Sequence, residues 1–276
     1  MKNYLNNYFD PVNVIKGYDE LPIWSASFGL KLLDAVEYRS KITVLDIGFG
    51  TGFPLTELAM RLGSSSVVYG IDPWKEAVER AKEKIEAYGI RHIKIIEGAA
   101  ESIPLSDNSV DLITSNNGIN NVENMDKVLS ECSRILKPGG QFLQTMNLSQ
   151  SMFEFYMELE RVLTDRGLYG PVKLMHEHIS HKRPSVESMK KLLQKKEFII
   201  KKLEYDQFNY RFADGTAMLN HYFIRLAFMD SWAALLPEDQ MDEIFDEVES
   251  RLNEYAYRYG GITLSIPFVL IDVTKE

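Results

Sequence analysis

Between Ile42 and Met146 the apolar and polar positions alternate between two rhythms. Short apolar runs, as expected of strands buried on both faces, fall at Ile42 to Ile47, Val67 to Ile71, His92 to Ile96, Val110 to Thr114 and Gln141 to Met146. Between them, stretches of helical period run from Phe53 to Leu62, Trp74 to Tyr88 and Val122 to Leu136, and a Pro138-Gly139-Gly140 turn sets off the fifth strand. This alternation predicts an α/β fold with a parallel, doubly wound sheet, whose ligands sit beyond the carboxyl ends of the strands. Past Met146, Ser151 to Leu163 reads as an amphipathic helix and Val186 to Lys196 as another behind Pro184-Ser185. Phe198 to Tyr205 reads as a strand with alternating Lys and Glu. Two further helices, about Thr216 to Leu235 and Glu238 to Tyr259, precede a closing strand from Ile262 to Val273. No repeat or low-complexity linker separates these elements, so the late helices are expected as a cap fused to the core. Ahead of the first strand, Met1 to Arg39 carry a dense aromatic set that includes Tyr18 and Trp24.

The first strand ends in Asp46-Ile47-Gly48-Phe49-Gly50-Thr51-Gly52, and the second ends in Gly70-Ile71-Asp72. Three glycines let backbone approach a ligand, and a carboxylate about 20 residues on can hold ribose hydroxyls. A dinucleotide fingerprint wants a small residue at position 53, which is Phe53. A phosphate loop wants Lys and then Ser or Thr, where this chain has Phe53-Pro54. Asp46, two places before the first glycine, would repel a pyrophosphate and suits a ligand bearing an ammonium group. An ordinary tight turn in an α/β sheet is the plainer reading of the glycines alone. Asp46 could merely cap that turn, Asp72 could serve as a helix N-cap, and Asn116 and Asn117 could be simple turn formers.

Composition narrows the picture further. With 276 residues, 45% of them apolar, the chain can bury one elaborated core or two modest ones. A net charge of -9 counts against a nucleic-acid substrate. The one cationic run, Lys190, Lys191, Lys195, Lys196, Lys201 and Lys202, lies along a helix and the next strand and is expected to be a solvated face. The lone Cys132 excludes an internal disulfide framework and a structural zinc site, and is expected to be a buried small hydrophobe. No secretion-signal pattern and no apolar run of roughly 20 residues is present, so a cytoplasmic location without a membrane span is expected.

From about Ile42 to Met146 the chain resembles class I S-adenosylmethionine-dependent methyltransferases, most closely the ubiquinone/menaquinone-biosynthesis type (the methyltransferase 11/25 group). The resemblance is carried by Leu45 to Gly52, Gly70-Ile71-Asp72, Gly98-Ala99-Ala100-Glu101-Ser102-Ile103-Pro104-Leu105, Asp111-Leu112-Ile113-Thr114 and Arg134-Ile135-Leu136-Lys137-Pro138-Gly139-Gly140, in that order. It implies a Rossmann-like seven-stranded sheet with an aromatic N-terminal helical lid and a helical cap inserted before the last strand. The corresponding boundaries are 1–40, 41–148 and 149–276, with the cap at about 207–260.

The implied cofactor is S-adenosylmethionine, and the implied product S-adenosylhomocysteine. Gly48, Gly50 and Gly52 would shape the pocket for its methionine part, with Asp46 near the amino group. Asp72 would take the ribose hydroxyls, Pro73 with Trp74 would pack on adenine, and Ala100 and Glu101 would meet the adenine edge. Asn116 would face both cofactor and substrate, with Tyr18 touching the cofactor. Where many relatives have an aspartate for the adenine amino group, this chain has Ala99, which puts that hydrogen bond in doubt.

In-line methyl transfer from a sulfonium needs alignment of the nucleophile and exclusion of water, with a base optional. His176 and His178 alternate as on a strand and could share a face, giving a metal pair or an acid–base group. No third ligand is evident, so no metal is expected. His221 is the third candidate base. Trp24, Asn117, Arg211 and His221 are the candidate substrate contacts, Arg211 and His221 because they are polar groups among aromatics. The expected function is methyl transfer to a small-molecule acceptor, with a homodimer left open. The rivals are a non-catalytic binder of S-adenosylmethionine or S-adenosylhomocysteine and, third, a dehydrogenase.

Overall fold

The structure, a computed structural model, describes residue 15 and residues 23–276. Strands β1 (Thr43–Ile47), β2 (Val67–Asp72), β3 (Ile93–Glu97), β4 (Val110–Asn116), β5 (Leu136–Asn147), β6 (Phe198–Phe212) and β7 (Ile262–Lys275) form one seven-stranded sheet in the order β3-β2-β1-β4-β5-β7-β6. The first five pair in parallel, and β7 runs antiparallel to β5 from Gln141 against Thr274 to Asn147 against Phe268. The five parallel strands are those that the strand–helix alternation predicts, and the seven-stranded sheet is the one that the resemblance implies.

Strand parity explains the layers. Successive side chains point to opposite faces, and in β1 Val44 belongs to one apolar cluster while Leu45 and Ile47 belong to the other. Helices α1 (Ile23–Ala35), α2 (Leu55–Leu62) and α3 (Lys75–Ala87) cover the first face through Leu32, Leu33, Leu55, Leu58, Val78 and Ala81. Helices α4 (Met125–Ile135) and α7 (Val186–Lys195) cover the second through Val128, Leu129, Cys132, Met189 and Leu193. Cys132 is fully buried there, and burial raises its thiol pKa, as befits a small core side chain.

Several element boundaries differ from the sequence pattern, β6 running on to Phe212 among them, and three concern the site. α2 starts at Leu55 and not Phe53, with Pro54 as its N-cap at φ −87° and ψ 2°. α4 starts at Met125 because the Asn124 side chain accepts from Lys127 N at 3.0 Å, and one Glu101 carboxylate oxygen takes the N–H groups of Glu123 and Asn124 at 3.1 Å. The Pro138-Gly140 turn lies within β5, as a register shift between the pairs Val110–Leu136 and Leu112–Gln141.

The chain forms two compact units. Among the described residues, the sheet unit holds 23–148, Arg183–Asp206 and Phe268–Glu276, and the other holds residue 15, Ser149–Lys182 and Gln207–Pro267. In the second unit α5 (Phe153–Asp165) and Trp232 build the core: Trp232 stacks on Phe155 at 3.8 Å and donates from Nε1 to the Tyr156 hydroxyl at 3.1 Å.

The single helix expected over Thr216 to Leu235 is broken. α8 (Gly215–Asn220) ends at His221, whose ψ of 129° is extended, and the chain resumes as Tyr222–Ile224, a π-helical turn over Arg225–Met229, and Asp230–Ala233. Ile224 and Met229, five residues apart, are both buried, and a π turn is what brings that spacing onto one face. α9 (Met241–Tyr259) follows a short 3-10 turn and ends at Gly260, in the left-handed region. No helix among the described residues is long and apolar enough to cross a membrane.

Candidate active site

The glycine loop forms because its backbone enters conformations that side chains resist. Gly48, Gly50 and Gly52 have φ of +74°, +54° and +108°. Gly48 N donates to Ile71 O at 2.9 Å, tying the loop to β2. Asp72, at the end of β2, braces it: Oδ2 accepts from Gly50 N and Oδ1 from Trp74 N, both at 2.8 Å. Burial raises the Asp72 pKa, and the hydrogen bonds from Trp74 and Gly50 oppose that rise. One carboxylate thus fixes the loop and the entry to α3 together. Pro73 and Trp74 beside it are exposed.

Asp46 lies one layer deeper. It is fully buried, its Oδ1 accepts from Thr114 Oγ1 at 2.7 Å, and its Oδ2 has no partner among the described residues. Burial pushes its pKa up to about 7, the Thr114 hydroxyl pulls it down, and the Asp72 charge adds to the rise. A carboxyl raised in the folded state gives its stabilisation in full below its unfolded pKa of 3.8 and loses it as pH rises through about 7. Asp46→Asn removes that titration. Relative to the parent protein, the variant is therefore expected to gain stability steadily as pH climbs from about 4 to 7. Denaturant midpoints across that range check it, and a difference that does not change with pH would show that Asp46 stays ionised throughout.

The carboxyl end of β4 packs against the same loop. Ser115 Oγ donates to Ile47 O at 3.1 Å and accepts from Ile119 N at 3.0 Å. A Cβ added to Gly118 would lie 2.3 Å from Ile47 O and 2.9 Å from Gly48 Cα, so backbone here meets backbone. Asn116 is engaged at both ends of its amide: Nδ2 donates to Ser25 O of α1 at 2.9 Å, and Oδ1 accepts from Thr145 Oγ1 at 3.0 Å. α1 can come this close because it carries Gly29, where a Cβ would lie 2.3 Å from the Phe53 ring. Phe53, which spoils a dinucleotide fingerprint, is therefore seated against α1. Trp24, on the same helix, makes a T-shaped contact with Phe28 at 5.4 Å between ring centroids. Asn117 follows at φ +60°.

The remaining predicted residues are placed as follows. Ala100 is buried, and Glu101 spends one oxygen on the α4 N-terminus, as described above. Tyr18 lies outside the described residues. In the second unit Arg211 is exposed, while the His221 ring stands against Phe212 at 5.4 Å, with Nδ1 buried and unpaired and its pKa lowered by burial.

His176 and His178 do not alternate on a strand. They lie on helix α6 (Tyr169–Lys182), where residues two apart are about 200° apart around the axis and share no face. The overlooked signal was Leu168, Val172, Met175 and Ile179, a helical spacing whose centre, Met175, is 1% exposed. His176 is exposed, with Nε2 3.1 Å from Glu160 Oε1.

The sequence reading missed Thr114, Ser115, Gly118 and Asn120. The first three are small residues at the end of a strand that pairs with the glycine-loop strand, and their signal would have been the strand order.

The family model described as "Methyltransferase domain" matches residues 45–144. The demethylmenaquinone methyltransferase of Staphylococcus aureus (strain MRSA252) is 26% identical over 204 residues, covering 71% of this chain and 82% of that protein. That of Lactococcus lactis subsp. lactis (strain IL1403) is 27% identical over 162 residues, 56% of this chain and 63% of the relative, so the chain spans less than two thirds of it. A SAM dependent methyltransferase from Aquifex aeolicus shares the fold, with a TM-score of 0.54 and 24% identity, covering 71% of this chain and 92% of that one. With its glycine loop, its acid-ended second strand and this sheet order, the chain matches a methyltransferase domain over residues 45–144 and is similar to class I S-adenosylmethionine-dependent methyltransferases of the quinone-biosynthesis-like group.

Proposed function

We propose that the glycine loop and Asp72 hold S-adenosylmethionine, and that the amides after β4 face a small-molecule methyl acceptor. The observation that carries this reading is the Asp72 carboxylate, which braces Gly50 N and Trp74 N and still keeps lone pairs for a diol. The residues present fit the group. Nothing lies within 4 Å of a Cβ built on Gly50 or Gly98, so the backbone is open at both. Asp46 Oδ2 is buried and unpaired beneath the loop, and a cationic ligand there would favour its ionised form.

When bound, S-adenosylmethionine supplies an electrophilic methyl carbon on a cationic sulfur. The chain's own part is to orient and to exclude water. Asp72 fixes the loop, the exposed Pro73 and Trp74 offer an apolar platform for a base, and Asn116, clamped by Ser25 O and Thr145, holds α1 to the end of β4. Acceptor contacts in the sheet unit are assigned to Asn117 and Trp24. In the second unit His221 stays the candidate base, with burial lowering the pKa of its ring.

The name of the S. aureus relative supplies the first acceptor to try, a reduced naphthoquinone. Calorimetry is expected to show binding of both S-adenosylmethionine and S-adenosylhomocysteine. A methyl-labelled cofactor is then expected to yield a labelled product from 1,4-naphthohydroquinone or from the low-molecular-mass fraction of a bacterial extract. Binding without any transferred label would make the protein a non-catalytic binder, and tight NAD binding without S-adenosylmethionine binding would revive a dehydrogenase.

A further inference from the structure

Just past β4 the amide of Asn117 is fixed in one orientation. Asn120 Nδ2 donates to Asn117 Oδ1 at 2.7 Å and lies 3.5 Å from Asn147 Oδ1. The Asn117 backbone is held on both sides, its N–H donating to Thr145 Oγ1 at 3.1 Å and its carbonyl accepting from Asn121 Nδ2 at 3.2 Å. With Oδ1 turned to Asn120, the Asn117 Nδ2 group is left buried, with no partner among the described residues. A buried N–H without an acceptor is costly, and native folds keep such groups where something is to be bound. It also lies at the carboxyl end of a central strand, where ligands of open α/β sheets bind.

We propose that Asn117 Nδ2 donates a hydrogen bond to an oxygen of the methyl acceptor, and that Asn120 is the positioning residue that decides which end of the Asn117 amide faces it. This rests on the methyl-transfer reading above and deepens it by naming the acceptor's recognition chemistry. The side chains gathered at this turn, Asn116, Asn117, Asn120, Thr145 and Asn147, are amides and a hydroxyl, all uncharged. The matching group is a hydroxyl, carbonyl or carboxylate oxygen beside the methylated atom. An acceptor presenting only an ammonium there would set donor against donor.

Two near-isosteric changes test it. Asn117→Asp keeps the bond from Asn120 and replaces the N–H donor with a charged oxygen. Asn120→Asp reverses the local pattern: its carboxylate accepts from Asn117 Nδ2 and leaves Oδ1 facing the acceptor. The assay uses methyl-labelled S-adenosylmethionine with the low-molecular-mass fraction of a bacterial extract, followed by identification of the labelled product and measurement of its precursor's KM. Both variants are expected to raise that KM about tenfold or more while calorimetric affinity for S-adenosylmethionine stays within about twofold. The labelled methyl is expected on, or adjacent to, an oxygen-bearing position.

An unchanged KM in Asn117→Asp, or a product methylated on an amine with no neighbouring oxygen, overturns the proposal while methyl transfer stands. A KM that rises in Asn117→Asp alone removes Asn120 from its positioning role. Failure of the parent protein to bind the cofactor or to label any product overturns the methyl-transfer reading and this inference with it.

Discussion

Gly118→Ala is expected to remove cofactor binding almost entirely, by at least about 100-fold, and to destabilise the fold by about 3 kcal/mol. The conformation itself is open to alanine, since Gly118 has φ −63° and ψ −49°. The obstacle is steric: the new methyl would stand 2.3 Å from Ile47 O, 2.9 Å from Gly48 Cα and 2.9 Å from Ser115 Oγ. The first two are backbone atoms that cannot swing aside, so relief requires the glycine loop to retreat from the end of β4. For stability alone Gly50→Ala is the contrasting control, with nothing within 4 Å of its Cβ and only the cost of φ +54°, on the order of 1 kcal/mol. Thermal melting on both variants gives that comparison, and calorimetry on Gly118→Ala against the parent gives the affinity. A Gly118→Ala protein with parental affinity and melting temperature would mean that the two loops are not in backbone contact.

The second large effect is expected at Asp72. Asp72→Ala frees the N–H groups of Gly50 and Trp74 and deletes the carboxylate assigned to the ribose. The cofactor's dissociation constant is expected to rise on the order of 100-fold, about 3 kcal/mol. Asp72→Asn separates the two roles. One amide oxygen can still accept from one of the two N–H groups, so the fold is largely retained, while the charge is lost. Melting without cofactor reads the brace, and titration with S-adenosylmethionine reads the ligand contact. If Asp72→Ala lowers the melting temperature but leaves the dissociation constant alone, the side chain is a brace only and the ribose assignment falls.

Both effects reach into parts of the molecule that differ in how readable they are. Asp72 was visible as an acid ending an apolar run about 20 residues past three glycines, because each of those features is a local property of backbone and spacing. Gly118 was not: its importance depends on which strand lies beside β1. The bond from Thr114 to Asp46 and the bond from Ser115 to Ile47 each span 68 residues, and the Asn116–Ser25 bond spans 91. His176 and His178 were read on the wrong kind of element because two polar residues two apart fit a strand, while the helical face of α6 was carried by the apolar residues around them. The break at His221 was hidden for a related reason, since the burial of Ile224 and Met229 on one face depends on what packs there.

What the sequence determined by itself is the alternation of strand and helix, the three-layer α/β class and a loop able to admit a ligand. These follow from apolar periodicity and from glycine's access to positive φ, properties of neighbouring residues. Tertiary structure alone decided that β4 lies against β1, that a glycine 70 residues from the loop must stay a glycine, and that the Asn117 amide is turned by Asn120 with its N–H group inward. Such contacts arise only when distant segments are brought together by strand order, and no local pattern encodes which pair will meet.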